Sequence, residues 1–152
     1  MAERFVKAVM VVGAVFLLVT GAWALADPAS FYARVATFPP YNRHFLHDIG
    51  AFNLGLGAAL ALGLTRWPGR RVALWAVALA AAVHAGSHFA DRGLGGRSSD
   101  PFVLSVIAAV LVAAALLATR RTDRQTEVTH DATASPAARL RRDRPAGTTQ
   151  PD

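Results

Sequence analysis

The chain has 152 residues and no cysteine, which excludes a disulfide framework, a thiolate metal site and a cysteine nucleophile. Its length fits a single domain, and 53% of its residues are hydrophobic. The net charge of +6 comes mainly from arginines in loops and in the C-terminal segment, without an aromatic-lined basic stripe. This pattern indicates membrane topology and contact with anionic lipids, not nucleic-acid binding.

Four apolar segments approach the ~20 residues that a helix needs to cross a bilayer. Each contains a long stretch without any charge, whereas the helices of a soluble bundle carry a charged face. We therefore predict an all-α integral membrane protein with four spans, at about 5–26, 45–64, 72–90 and 102–119. Small residues along the second span, Gly50, Gly55, Gly57 and Gly63, predict close packing against another helix.

The basic residues predict the direction of the spans, because short loops rich in arginine and lysine stay in the cytoplasm. One side of the predicted membrane carries eight such residues: Arg4, Lys7, Arg66, Arg70, Arg71, Arg120, Arg121 and Arg124. The other side carries four: Arg34, Arg43, Arg92 and Arg97. We expect an up-down four-helix bundle with both termini in the cytoplasm and with loops 27–43 and 91–100 outside.

The first span has an alternative interpretation as a cleavable signal peptide. It ends in Ala24-Leu25-Ala26, an A-x-A-like cleavage site, and two basic residues precede its apolar run. The run is long for a signal peptide, so we favour a retained helix.

Local signals place the ends of several elements. Asp27-Pro28 and Asp100-Pro101 each combine an N-cap residue with a proline suited to the first helical position. Trp67-Pro68-Gly69 predicts a tight turn, which makes the second and third spans an antiparallel hairpin. After Thr119 the chain becomes polar and rich in arginine, threonine and proline, so we predict that residues 120–152 are disordered.

Two polar clusters interrupt the apolar sequence, and the hairpin topology places both at the outer membrane face. One opens the second span and the other closes the third: Asn42, Arg43, His44, His47 and Asp48, then His84, Ser87, His88, Asp91 and Arg92. His84, His88 and Asp91 are spaced i, i+4 and i+7, so they share one helix face. Ionisable residues at membrane depth are costly and usually mark a site.

The clusters support several chemistries. Imidazoles and carboxylates bind zinc, iron or copper, which makes these residues candidate metal ligands: His44, Asp48, His84, His88 and Asp91. Five neighbours would support them: Asn42, His47, Ser87, Arg43 and Arg92. Histidines facing each other from two helices would instead ligate a haem, and histidine with aspartate would relay protons. A purely structural alternative pairs Asp48 and Asp91 with Arg43 or Arg92 to clasp the hairpin.

Residues 39–52 contain an Asn-x-His-x-x-x-Asp-x-Gly motif at the start of the second span, and a His-x-x-x-His motif closes the third. With these motifs the four spans resemble the DoxX-like four-span membrane proteins, which are common in high-GC actinobacteria. The resemblance implies a four-helix bundle in the bacterial inner membrane. The matching positions are Asn42, His44, Asp48, His84 and His88, and the resemblance implies no reaction or cofactor.

The expected function is that of a small integral membrane protein with an outward-facing His/Asp site, acting as an accessory subunit in a redox or envelope process. One alternative is a membrane oxidoreductase that depends on a transition metal or haem. Another is a small proton-linked transporter, which four spans would form only as an oligomer. The expected partners are the lipid bilayer and either a second membrane protein or further copies of the chain.

Overall fold

The computed structural model of the protein describes residues 1–65 and 67–133, with side chains for 1–65 and 69–120. Within these ranges the only regular structure is helical, in five elements: α1 (Ala2–Ala26), α2 (Pro28–Arg34), α3 (Arg43–Thr65), α4 (Trp67–Ala90) and α5 (Asp100–Thr133). Four stretches are long and apolar enough to cross a membrane: Ala2–Ala26, Arg43–Thr65, Gly69–Ala90 and Asp100–Arg120. The prediction of an all-α chain with four membrane-type helices is confirmed.

The long helices begin two to five residues before the predicted spans, at Ala2, Arg43, Trp67 and Asp100 instead of 5, 45, 72 and 102. Hydropathy marks the part of a helix inside the hydrocarbon, whereas the helix itself continues into the interfacial layer. In α1 the added residues include Glu3, which pairs with Lys7 one turn later at 3.0 Å. Asp27 caps α2 as predicted, but Asp100 is the first residue of α5 instead of its cap.

The chain divides into two units, Met1–Thr119 and Arg120–Asp152. Helix α5 continues to Thr133, so the first fourteen residues of the segment predicted to be disordered have a helical backbone in the structure. Residues 134–152 lie outside the described residues, and their disorder stays a prediction.

Helices α1 and α3 pack backbone against backbone through glycines. A Cβ added to Gly50 would lie 2.8 Å from the Cγ of Leu25 and 2.9 Å from the carbonyl oxygen of Gly21. At Gly57 it would lie 2.9 Å from the Cγ of Leu18. Gly63 also meets side chains at about this distance, whereas Gly55 has no atom within 4 Å. The predicted close packing is therefore confirmed at three of the four glycines, and it is wrong at Gly55 because that residue lies on the exposed face.

Helices α4 and α5 join this pair around a core of small residues. Its buried members are Val6, Met10, Ala14, Leu60, Ala73, Leu74, Val77, Ala78, Leu111, Ala114, Ala115 and Ala118. Between α4 and α5, the indole nitrogen of Trp75 donates to the hydroxyl of Thr119 at 3.1 Å, and the rings of Phe89 and Phe102 meet edge to face. Alanines dominate this core because small side chains let membrane helices approach closely.

One arginine is buried where α3 gives way to α4. Arg70 is 6% exposed, and its guanidinium donates to the carbonyl oxygen of Leu64 in the last turn of α3. A cation is favourable there, because the final carbonyl groups of a helix carry partial negative charge.

We predict that Gly50→Ala destabilises the bundle relative to Gly55→Ala by about 1–3 kcal/mol, the usual cost of overpacking a tight contact. Both changes remove a helix glycine and bring the same gain in helix propensity, so the difference isolates the contact with α1. Thermal unfolding in detergent micelles measures it. Equal midpoints for the two variants would show that α1 and α3 do not pack through Gly50.

Candidate functional site

The predicted polar cluster of the second span lies directly before α3 and in its first two turns. The Oδ1 of Asn42 accepts from the backbone amide of Phe45 at 3.2 Å, so Asn42 caps the helix, and Arg43 is its exposed first residue. The Nε2 of His44 lies 3.8 Å from the Oδ2 of Asp48, with side chains 88% and 51% exposed. An exposed pair of this kind contributes little to stability.

Asp48 points away from the interior because of its position in the turn. It is two residues from the buried Leu46 and two from the buried Gly50, so it lies roughly 200° around the helix from each. Because the glycine face of α3 packs against α1, His44 and Asp48 lie on an exposed face of the helix. His47 differs, because its ring is half-buried and its Nε2 is buried without a hydrogen-bond partner.

The two histidines of α4 contact each other. Their ring centroids are 4.7 Å apart with the planes at 81°, and the ring of Phe38 lies 5.2 Å from that of His88. The hydroxyl of Ser87 donates to the backbone carbonyl of His84 at 2.8 Å and does not reach an imidazole. In the described part of the chain, no hydrogen bond or ion pair links a ring nitrogen of His84 or His88 to another residue.

His84 and His88 continue the face of α4 that is buried earlier in the helix. Val77 is buried. His84 and His88 follow it by seven and eleven residues, which is about two and three helical turns, so both lie within roughly 20° of Val77 around the helix axis. Yet His84 is exposed and His88 is half-buried. The face that packs into the core near the start of α4 is thus left uncovered near its end.

The loop between α2 and α3 and the loop between α4 and α5 meet beside this pair. The Nη2 of Arg97 donates to the carbonyl oxygen of Arg34 at 2.7 Å. The backbone amide of Gly96 donates to the carbonyl oxygen of Thr37 at 3.1 Å. Gly96 has a φ of +76°, and a Cβ there would lie 2.8 Å from the ring of Phe38. We call this contact between residues 34–38 and 95–97 the loop seam, and it holds Phe38 against His88.

Helix α2 is capped by Asp27 and is linked to α1. Hydrogen bonds from Ser30, through its hydroxyl and its backbone amide, hold the pKa of Asp27 below its ordinary value, as suits a carboxylate that caps a helix. The indole nitrogen of Trp23 donates to the Ser30 hydroxyl at 2.7 Å, which links α1 to α2.

The predicted arginine clasp does not form among the described residues. Asp48 pairs with His44 instead of an arginine. The guanidinium of Arg92 lies instead over the rings of Phe89 and Phe102, at 5.0 Å and 5.9 Å. Asp91 is half-buried directly after α4, and its side chain has no hydrogen bond or ion pair with the residues whose side chains are described.

The five candidate ligands are not gathered into one set. In the described ranges, no three His, Asp or Glu side chains are close enough to hold one metal ion. No ring contact, hydrogen bond or ion pair joins the α3 cluster to the α4 cluster there. The arrangement consists of the His44–Asp48 pair, the His84–His88 pair, and Asp91 by itself.

Sequence reasoning overlooked Phe38, whose ring contacts that of His88 from a loop outside α4. The signal was present in Gly95-Gly96, since paired loop glycines often mark a close approach of another chain segment.

No family model, no curated protein and no solved structure matches the chain.

We predict that Gly96→Ala opens the loop seam. The positive φ at this position costs a residue with a side chain on the order of 1–3 kcal/mol, and the added methyl group displaces Phe38. Hydrogen exchange of residues 34–38 should become faster, while Gly93→Ala, where an added Cβ meets no atom within 4 Å, should leave it unchanged. Unchanged exchange in both variants would contradict the contact between the loops.

Proposed function

We propose that the protein is a multi-pass protein of the bacterial cytoplasmic membrane that acts at the outer membrane face through His84 and His88. Its role is that of an accessory subunit in a redox or envelope process. Four long apolar helices support the membrane location. The two motifs that open α3 and close α4 support membership of the DoxX-like four-span type.

Contacts between the helices support an up-down arrangement. Gly13 and Gly21 of α1 meet Leu60 and Gly50 of α3, so the beginning of one helix lies near the end of the other. Gly63 meets Ala73 across the turn into α4. Trp75 with Thr119, and Phe89 with Phe102, pair α4 and α5 in the same opposed sense.

The helix ends away from the histidine pair carry the excess of basic residues, which favours a cytoplasmic location for those ends and for both termini. In this orientation the outer loops, the loop seam and the end of α4 all face the extracytoplasmic side. The site is therefore accessible to periplasmic or extracellular molecules and not to the cytoplasm.

The observation that carries the proposal is the state of the two imidazoles. They lie in the last two turns of a membrane-type helix, and their ring nitrogens have no partner within the described residues. A polar group that enters a membrane without a partner costs free energy, so such residues are retained mainly where they serve a function. A purely structural role would require an internal partner, and Arg92, one of the two arginines predicted to clasp the hairpin, lies over aromatic rings instead.

We predict that His84→Leu abolishes function without loss of stability. His84 is exposed, so leucine fits its position and suits lipid. In a bacterial host that carries the gene, the variant should match a deletion strain in oxygen consumption by isolated membranes or in resistance to envelope stress. Its amount in the membrane and its unfolding midpoint should match the unaltered protein.

Val83→Leu is the matched control, because Val83 is the exposed neighbour of His84 and lacks a polar group. This variant should behave as the unaltered protein. The proposal fails if the His84→Leu strain is indistinguishable from the unaltered strain in both measurements.

A further inference from the structure

The structure limits the kinds of ligand that the histidine pair can bind. We infer that His84 and His88 together bind one transition-metal ion, supplied as a free ion and not as haem. The inference rests on the proposed function, because it names the ligand of the same site.

The spacing of the rings suits two ligands on one ion. Metal–nitrogen bonds of about 2.1 Å and a near-tetrahedral angle place the centroids of two bound imidazoles roughly 5 Å apart. The observed separation is 4.7 Å, on consecutive turns of one helix. An i, i+4 pair of histidines is also the spacing by which helices present two imidazoles to zinc.

The surroundings leave the ring nitrogens available. His84 is exposed and the Ser87 hydroxyl bonds to backbone, so neither competes for the ion. Phe38 packs edge to face against the ring of His88, which restricts its rotation. A ligand held in place before binding loses less conformational entropy on binding.

The same geometry argues against haem. Axial ligands lie on opposite sides of a haem iron, which would place their ring centroids roughly 6 Å apart across the porphyrin plane. Two rings at 4.7 Å on one helix leave no room for that plane. A haem held between helices would need an imidazole from α3, and none contacts the α4 pair among the described residues.

The coordination sphere has two protein ligands. In the described ranges no third His, Asp or Glu completes it, so water or an exchangeable small molecule occupies the remaining positions. Imidazole sites follow the order of stability in which copper(II) binds more tightly than zinc, nickel or cobalt. Copper(II) is therefore the most sensitive probe.

The test uses the full chain in detergent micelles, purified through a histidine-free affinity tag and with its N-terminal amine acetylated so that the amine cannot bind copper. Titration with copper(II), followed by electron paramagnetic resonance, should show one ion per chain with hyperfine splitting from two nitrogens. His84→Ala and His88→Ala should each lower the affinity about tenfold or more and remove the two-nitrogen signal.

His44→Ala is the matched control, because His44 belongs to another i, i+4 pair near the outer ends of the helices, with Asp48. It should leave the affinity unchanged. Circular dichroism of each variant confirms that the helices are retained, and the exposed position of His84 makes His84→Gln a second variant that folds with a side chain of similar polarity.

Copper binding that survives the combined His84→Ala and His88→Ala change overturns the inference. So does the absence of saturable copper binding, or a Soret band after addition of haemin that depends on the same two residues. If copper fails to bind while His84→Leu still impairs the cell, the site stands and its ligand is a different one. If copper binds and His84→Leu has no cellular effect, the metal site stands and the proposed function does not.

Discussion

The bilayer core offers no hydrogen bonds, and this constraint governs most of the chain. Backbone groups satisfy it by forming helices, and polar side chains satisfy it locally. The hydroxyls of Thr20, Ser105 and Thr119 each donate to a carbonyl oxygen one turn earlier in their own helix. Asn53 of α3 donates to Thr20 of α1 at 3.4 Å. Against this background, the described residues leave the ring nitrogens of His84 and His88 without a partner, as they do the buried Nε2 of His47.

Close packing between α1 and α3 decides which residues can form a site. Gly21 and Gly50 bring the two backbones together, so the inner face of α3 is committed to α1. His44 and Asp48 are then turned toward the surface, where their interaction is weak. At the end of α4 the contact is Phe38 against His88, and His84 remains exposed there. The location of the candidate site is thus a consequence of helix packing elsewhere.

The sequence was sufficient for the helices and insufficient for the site. Charge-free apolar runs identify the four long helices because the signal is carried by every residue of the run. Asp27 before Pro28 identifies the start of α2, because capping is local in sequence. The pairing of Asp48 depends on which side of α3 meets α1, and the contact of Phe38 with His88 depends on two distant loops meeting. Neither contact produces a periodic pattern in the sequence. The sequence alone therefore could not show whether the two clusters come together as one set of ligands.

The central claim is that the histidine end of α4 faces outward, and cysteine labelling measures it most directly. The chain has no native cysteine, so single substitutions report one position each. Leu94, 65% exposed in the loop after α4, and Gly69, exposed at the start of α4, lie at opposite ends of that helix. With a membrane-impermeant maleimide on intact cells, Leu94→Cys should react, and Gly69→Cys should react only after the membrane is permeabilised. Labelling of Gly69→Cys in intact cells, with Leu94→Cys protected, would contradict the account.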